Sequence, residues 1–135
     1  MRLLFLGLIV STGLSLPLQA LANPGLTGTY QGFIWSGGSN TRGTTSFTVK
    51  PDGAISGSYL FEDMGSEMQG TLSDCAFTAP ILRCTWNDAY GSGALVLQFT
   101  GDFWAFEGSW HDGSLGEDTE NADNGYRWTG AKTGT

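Results

Sequence analysis

From Leu26 onward the chain keeps a two-residue rhythm: every second position is a ring, an aliphatic side chain or a glycine, and the positions between are mostly Thr, Ser, Gln, Glu, Lys or Arg. Side chains alternate across a β-strand, so this rhythm builds a sheet with one dry face and one wet face. It surfaces as Leu26-Gly28-Tyr30, Phe47-Val49, Ile55-Gly57-Tyr59-Phe61, Met68-Gly70-Leu72, Leu82-Cys84-Trp86, Leu95-Leu97-Phe99, Trp104-Phe106-Gly108-Trp110 and Tyr126-Trp128-Gly130, written as alternate residues. No stretch after Ala22 holds an apolar period near 3.6, so the helical alternative fails.

Glycine makes up 21 of the 135 residues without a collagen-like repeat, and its placement narrows the architecture. A Gly-Thr/Ser-aromatic triplet recurs at Gly28-Thr29-Tyr30, Gly57-Ser58-Tyr59 and Gly108-Ser109-Trp110. On the dry face it sets a small residue beside a large one, which suits the inside of a small, strongly curved barrel. The expected fold is all-β: an eight-stranded antiparallel up-and-down barrel or barrel-like meander. The alternative is a β-sandwich in which those glycines are bulges. Lys50-Pro51-Asp52-Gly53-Ala54 reads as a hairpin turn, with Pro presetting φ and Gly accepting a positive φ. Thr100-Gly101-Asp102-Phe103 reads as a two-residue turn, and Ala79-Pro80 as the tip of a hairpin between Cys75 and Cys84. Pairing those cysteines across the hairpin conflicts with the parity of Met68 and Leu72; either a bulge near Ser73-Asp74 adds a residue, or Cys75 belongs to the turn and not to the strand.

The segment before this rhythm reads as an address. Arg2 precedes an apolar run from Leu3 to Leu16, Pro17 breaks it, and Ala20-Leu21-Ala22 is a small-x-small cleavage pattern. Residues 1–22 are therefore expected to be a signal peptide and residues 23–135 a single exported domain, in the periplasm or outside the cell. An uncleaved N-terminal anchor is the alternative. After cleavage no transmembrane segment is expected, because the apolar run is short and lies in the part removed. An even pair of cysteines in an oxidising compartment favours a Cys75–Cys84 disulfide over zinc, for which two thiols alone are a poor ligand set.

Leu26-Thr27-Gly28-Thr29-Tyr30 and the run from Phe47 to Tyr59, FTVKPDGAISGSY, resemble the avidin and streptavidin family of secreted barrels. The likeness covers about a third of residues 23–135, and its motifs occur in many secreted barrels. It implies an eight-stranded barrel with a ligand pocket inside. In that family polar residues shortly after the first triplet hold the ureido group of biotin; here Gly32 and Phe33 stand there. The family's third-strand Tyr corresponds to Tyr59, and its Ser two residues on corresponds to Phe61.

Charge limits the partners. Six basic residues face 13 acidic ones, for a formal charge of −7. A nucleic-acid or anionic-lipid binder needs a basic face, so neither is expected. In a meander, alternate connections share an end. The stretches 36–43, 63–66, 87–93 and 111–125 read as longer loops at one open end, against short turns at the other. Glu62, Asp63, Glu67, Asp88, Asp112, Glu117, Asp118, Glu120 and Asp123 all fall at or beside that open end, with Arg42 as its one base. Trp35, Tyr90 and Trp110 are placed at its rim, and a cavity is expected to be walled by Tyr30, Tyr59, Trp86, Trp110 and Trp128. The candidate ligand-binding set is Trp35, Tyr59, Tyr90, Trp110 and Trp128. Asp118, Glu120 and Asp123 form a candidate Ca²⁺ set, although their spacing does not fit an EF-hand; otherwise no cofactor is expected.

The function this supports is non-enzymatic binding of a small apolar or aromatic molecule, or of a cationic group, by an acidic, ring-rimmed barrel mouth. A basic protein surface is the other class of partner. One alternative is a protein-interaction, inhibitor or envelope component with a filled barrel and an exposed apolar patch around Phe33, Leu60 or Val96. Another is a hydrolase using carboxylates of the open end, Glu107 among the candidates. A Ser-His-Asp reading drawn from His111, Asp112 and Ser109 or Ser114 lacks a nucleophile elbow.

Overall fold

The computed structural model describes residues 23–112 and 125–134. The expected signal peptide and the candidate Ca²⁺ residues Asp118, Glu120 and Asp123 lie outside the described residues. After one 3-10 turn, Pro24–Leu26, come eight strands: β1 Gly28–Ser36, β2 Ser39–Val49, β3 Ile55–Asp63, β4 Ser66–Thr78, β5 Ile81–Asp88, β6 Gly91–Phe99, β7 Ala105–Trp110 and β8 Tyr126–Lys132. Each pairs antiparallel with the next, and β8 closes on β1 through Tyr30–Lys132, Gln31–Ala131 and Ile34–Trp128. The sheet is a closed barrel, which rules out the sandwich.

Curvature comes from pairing rings with glycines across strands. Phe47 lies opposite Gly28 and Gly57, Tyr59 opposite Gly70, Trp86 opposite Gly93, and Trp128 opposite Gly108. A Cβ on Gly70 would overlap the Tyr59 ring, and one on Gly130 would overlap Phe106. Each large ring therefore lies over the gap left by its neighbour, and the wall bends tightly around a ring-filled middle. The inner face is apolar, while Thr29, Gln31, Arg42, Ser58, Glu62 and Gln69 point outward into solvent. That arrangement is the reverse of a membrane-spanning barrel. No helix among the described residues is long and apolar enough to cross a membrane.

The expected bulge is present. The β4–β5 register shifts between Ser73 and Ala76, with Asp74 at φ 51°. The extra residue turns Cys75 inward, where it is disulfide-bonded to Cys84. The Lys50–Ala54 turn also forms as expected, with Gly53 at φ 89° and its N–H donating to the Lys50 carbonyl at 2.8 Å.

The loop lengths differ from expectation. β1 and β2 pair through Ser36–Ser39, with only Gly37 and Gly38, at φ 60° and 87°, between them. Two positive-φ glycines make a tight hairpin, so the polar stretch from Ser39 to Arg42 is barrel-rim strand and not loop. Met64-Gly65 and Ala89-Tyr90 likewise close their hairpins in two residues. Among the described residues, Glu62, Asp63, Glu67, Asp88, Asp112 and Arg42 sit on or beside strand ends and tight turns at this end; Glu117, Asp118, Glu120 and Asp123 lie outside the described residues. At the other end, Thr100 to Phe103 is not a two-residue turn. Thr100 N–H donates to Ala105 and Phe103 N–H to Thr100, with Phe103 at φ 61°. That added residue turns Phe103 into the barrel floor and leaves Trp104, expected inside, 51% exposed. Val96, placed in an exposed patch from sequence, is fully buried.

Candidate functional site

The barrel is filled at one end and hollow at the other. In the floor, Tyr30, Phe47, Phe99 and Phe106 tile mostly edge-on, with centroids 5.2–6.3 Å apart. Phe77 and Phe103 pack on Phe99 from below, and Leu26 is fully buried beneath the Tyr30 hydroxyl that donates to its carbonyl at 2.9 Å. Tyr30 was expected to wall the cavity; it belongs to this plug, and burial raises its hydroxyl to a pKa of about 12.

Above the plug lies a cavity of about 340 Å³, lined by Ile34, Trp35, Ser36, Gly37, Tyr59, Phe61, Asp63, Trp86, Asp88, Tyr90, Trp110, Asp112 and Trp128. This volume is at the small-ligand end of the range for binding pockets. All five residues singled out from sequence, Trp35, Tyr59, Tyr90, Trp110 and Trp128, line it. Trp86, expected in the wall, is there too. Ile34, Phe61 and the tight Ser36-Gly37 corner were not singled out for it.

The space exists because hydrogen bonds pin the large rings to the wall. Trp86 Nε1 donates to the His111 carbonyl at 2.9 Å, Trp110 Nε1 to the Trp35 carbonyl at 2.8 Å, and Trp128 Nε1 to Thr45 Oγ1 at 2.9 Å. The Tyr59 hydroxyl donates to Asp88 Oδ2 at 2.8 Å. Buried N–H and O–H groups need partners, and here each partner lies in the wall, which holds its ring back from the axis. Trp86 meets Trp110 at 77° and Tyr59 meets Trp128 at 73°, so the rings form two right-angled corners. Tyr126, 45% exposed, packs on Trp110 tilted by 33°, with centroids 4.5 Å apart, and extends the ring surface outward. Trp35 has the parity of the outer face, and its carbonyl accepts from Trp110 Nε1.

The mouth is acidic. Asp63, Asp88 and Asp112 line it, and among the described residues no basic side chain does. Tyr90, on the β5–β6 turn, spans two of these acids: its N–H donates to Asp88 Oδ1 at 2.8 Å and its hydroxyl donates to Asp63 Oδ2. Burial first, then the hydrogen bond and charge of Asp88, push the Tyr59 hydroxyl far above the ordinary phenol range. The hydrogen bond to Asp63 is the main cause that raises Tyr90. Among the described residues no group of three His, Cys, Asp or Glu side chains is gathered to hold a metal ion.

The other sequence candidates lie elsewhere. Ser109 Oγ is 3.2 Å from His111 Nε2, but Ser109 is 2% exposed and its side chain points to the outer wall, away from the cavity. Glu107 is solvent-exposed on that same outer face, and Ser114 is outside the described residues. Phe33, 51% exposed, and Leu60, 37% exposed, flank an outer groove with Arg42, Glu62 and Glu67. No family model matches the chain, nor does any curated protein or solved structure.

Proposed function

We propose that this chain is an exported, non-enzymatic binding module that takes one small molecule, apolar or aromatic in body or carrying a cationic group, into the hollow half of its barrel. The observation that carries the reading is the contrast inside a single core: a floor packed solid with rings, and above it about 340 Å³ of ring-walled space opening at an acidic mouth. Cores close-pack unless something else is meant to occupy the room. The two phenols of the site, Tyr59 and Tyr90, are raised by burial and by their carboxylate partners, so neither offers a base or nucleophile at neutral pH.

A protein-contact role is the second reading, and the exposure of Phe33 and Leu60 on the outer wall favours it. Tryptophan fluorescence separates the two. Titration with a panel of neutral and cationic aromatic compounds is expected to change the emission of Trp86, Trp110 and Trp128 and to saturate at one equivalent. Silence across the whole panel in a folded protein rules against the pocket and leaves the outer face as the working surface.

A further inference from the structure

We infer that the outer wall beside the mouth is a self-association face, and that its occupant is a second copy of this chain. The inference stands apart from the pocket reading, because the side chains it uses line the outer groove and not the cavity.

The wall there departs from the wet-outside pattern. Outward positions on β1, β2 and β3 are mostly polar or charged, yet Phe33 is 51% exposed and Leu60 37% exposed, one on each side of β2. They flank a groove of about 540 Å³ whose floor includes the backbone of Gly32 and Gly43, paired across β1 and β2. Protruding apolar side chains and a hollow thus lie side by side on one face. A surface with both can be its own complement, which is what a two-fold contact between identical copies requires.

Charge selects the copy over other partners. Phe33 lies opposite Arg42, and Glu62 opposite Glu67. Gly43 lies opposite Phe61, so the next rung sets Arg42 beside Glu62. One row across β1 to β4 therefore reads apolar, positive, negative, negative. Two glutamates directly opposite each other are unfavourable by themselves, and none of these three charges is ion-paired with another described residue. A partner of one sign, basic or acidic, would meet its own sign somewhere along the row, and like charges in a contact are costly.

A second copy avoids that cost. Turned about a two-fold axis that runs along the strands between β2 and β3, it reverses the row, so each Arg42 lies over Glu62 of the other copy. Thr44 and Leu60, opposite each other one rung pair further on, meet in the same way. Phe33 and Leu60 then border the two ion pairs and exclude water from them, as the rim of a well-packed contact does. Because the axis runs along the strands, both mouths open on the same side of the pair.

Sedimentation equilibrium at about 100 μM, above the micromolar constants of modest interfaces, tests this. The wild type is expected to be a dimer, and Arg42→Glu and Glu62→Arg are each expected to be monomers. Each change enters a two-fold contact twice, so a loss of about tenfold per contact becomes about a hundredfold in the dimerisation constant. Mixed in equal amounts, the two variants are expected to form a one-to-one heterodimer, because both opposed pairs are restored between them. Both side chains are exposed, and recovery in the mixture shows that each variant is folded. A wild-type monomer overturns the inference and leaves the face to a partner of another kind. A dimer that survives Arg42→Glu lies elsewhere on the barrel, and variants that stay monomeric when mixed exclude the two-fold pairing; either result overturns the inference as well. None of these outcomes touches the pocket, whose fluorescence titration is read separately.

Discussion

The two halves of the barrel are built from one pattern, large rings facing glycines, yet one half is solid and the other hollow. The floor rings Phe47, Phe99 and Phe106 carry no polar atom, so nothing ties them to the wall, and they tilt edge-on across the axis until it is full. The upper rings carry N–H or O–H groups that must be satisfied. Trp86, Trp110, Trp128 and Tyr59 each reach a backbone or side-chain acceptor in the wall and are held against it. Where the acceptor lies decides the outcome: the Tyr30 hydroxyl reaches the Leu26 carbonyl within the floor and its ring stays in the plug, whereas the upper rings reach acceptors in the wall.

This contrast is most exposed to test by ring truncation. Phe106→Ala in the floor removes a ring from close-packed surroundings and is expected to cost about 3–5 kcal/mol in a urea denaturation. Trp110→Ala in the mouth removes a half-buried ring beside existing space and is expected to cost less than half of that, while abolishing the fluorescence response to aromatic cations. Equal costs would mean the halves are not packed differently.

Breaking the Cys75–Cys84 bond by a double change to Ser comes next. The bond closes a short loop, separated by 9 residues on the floor side, and its loss is expected to lower stability by about 2–3 kcal/mol. Probe affinity at a temperature where the variant is folded is expected to stay within twofold, because the rings of the mouth are anchored elsewhere.

A smaller and pH-dependent effect distinguishes the floor chemically. Tyr30 ionises near 10.0 when unfolded and is raised to about 12 by burial in the plug. A raised folded value makes its contribution to stability complete below pH 10 and lost as pH climbs through 12, since the unfolded chain gives up its proton first. Denaturation midpoints are expected to fall across that window in the wild type and to fall less in Tyr30→Phe. An unchanged slope would place the hydroxyl in water.

The smallest effect belongs to Tyr90→Phe. Its ring is exposed, so loss of the hydrogen bond to Asp63 is expected to leave the denaturation midpoint nearly unchanged. The same change frees Asp63 Oδ2, so the affinity ratio of a cationic to a neutral aromatic probe is expected to rise. No change in that ratio would mean that Tyr90 does not tune the mouth.

Much of the fold was readable from residue types, because period two and ring–glycine alternation are local consequences of strand geometry. The bulge at Ser73-Asp74 was one of two ways to resolve the parity clash between Cys75 and Leu72, the other being a Cys75 in the turn. What misled was turn chemistry. Ser39, Asn40 and Thr41 look like loop residues, yet Gly37-Gly38 turns the chain in two steps and leaves them as rim strand. Phe103 in a left-handed conformation exchanged places with Trp104, and no composition signal marks a non-glycine there. The rings of the site were legible as a set, while the room between them was not. That room depends on indole partners 25, 75 and 83 residues away, and alternation says which way a ring points but not how far across the axis it leans.

An NMR titration of ¹⁵N-labelled protein with benzyltrimethylammonium tests the division most directly, since each indole Nε1–H gives its own signal. The Trp86, Trp110 and Trp128 indole signals are expected to shift together and saturate, while the amides of Tyr30, Phe47, Phe99 and Phe106 stay where they are. Shifts of like size in both sets, or motionless indoles in a folded protein, would contradict a solid floor beneath a receptive mouth.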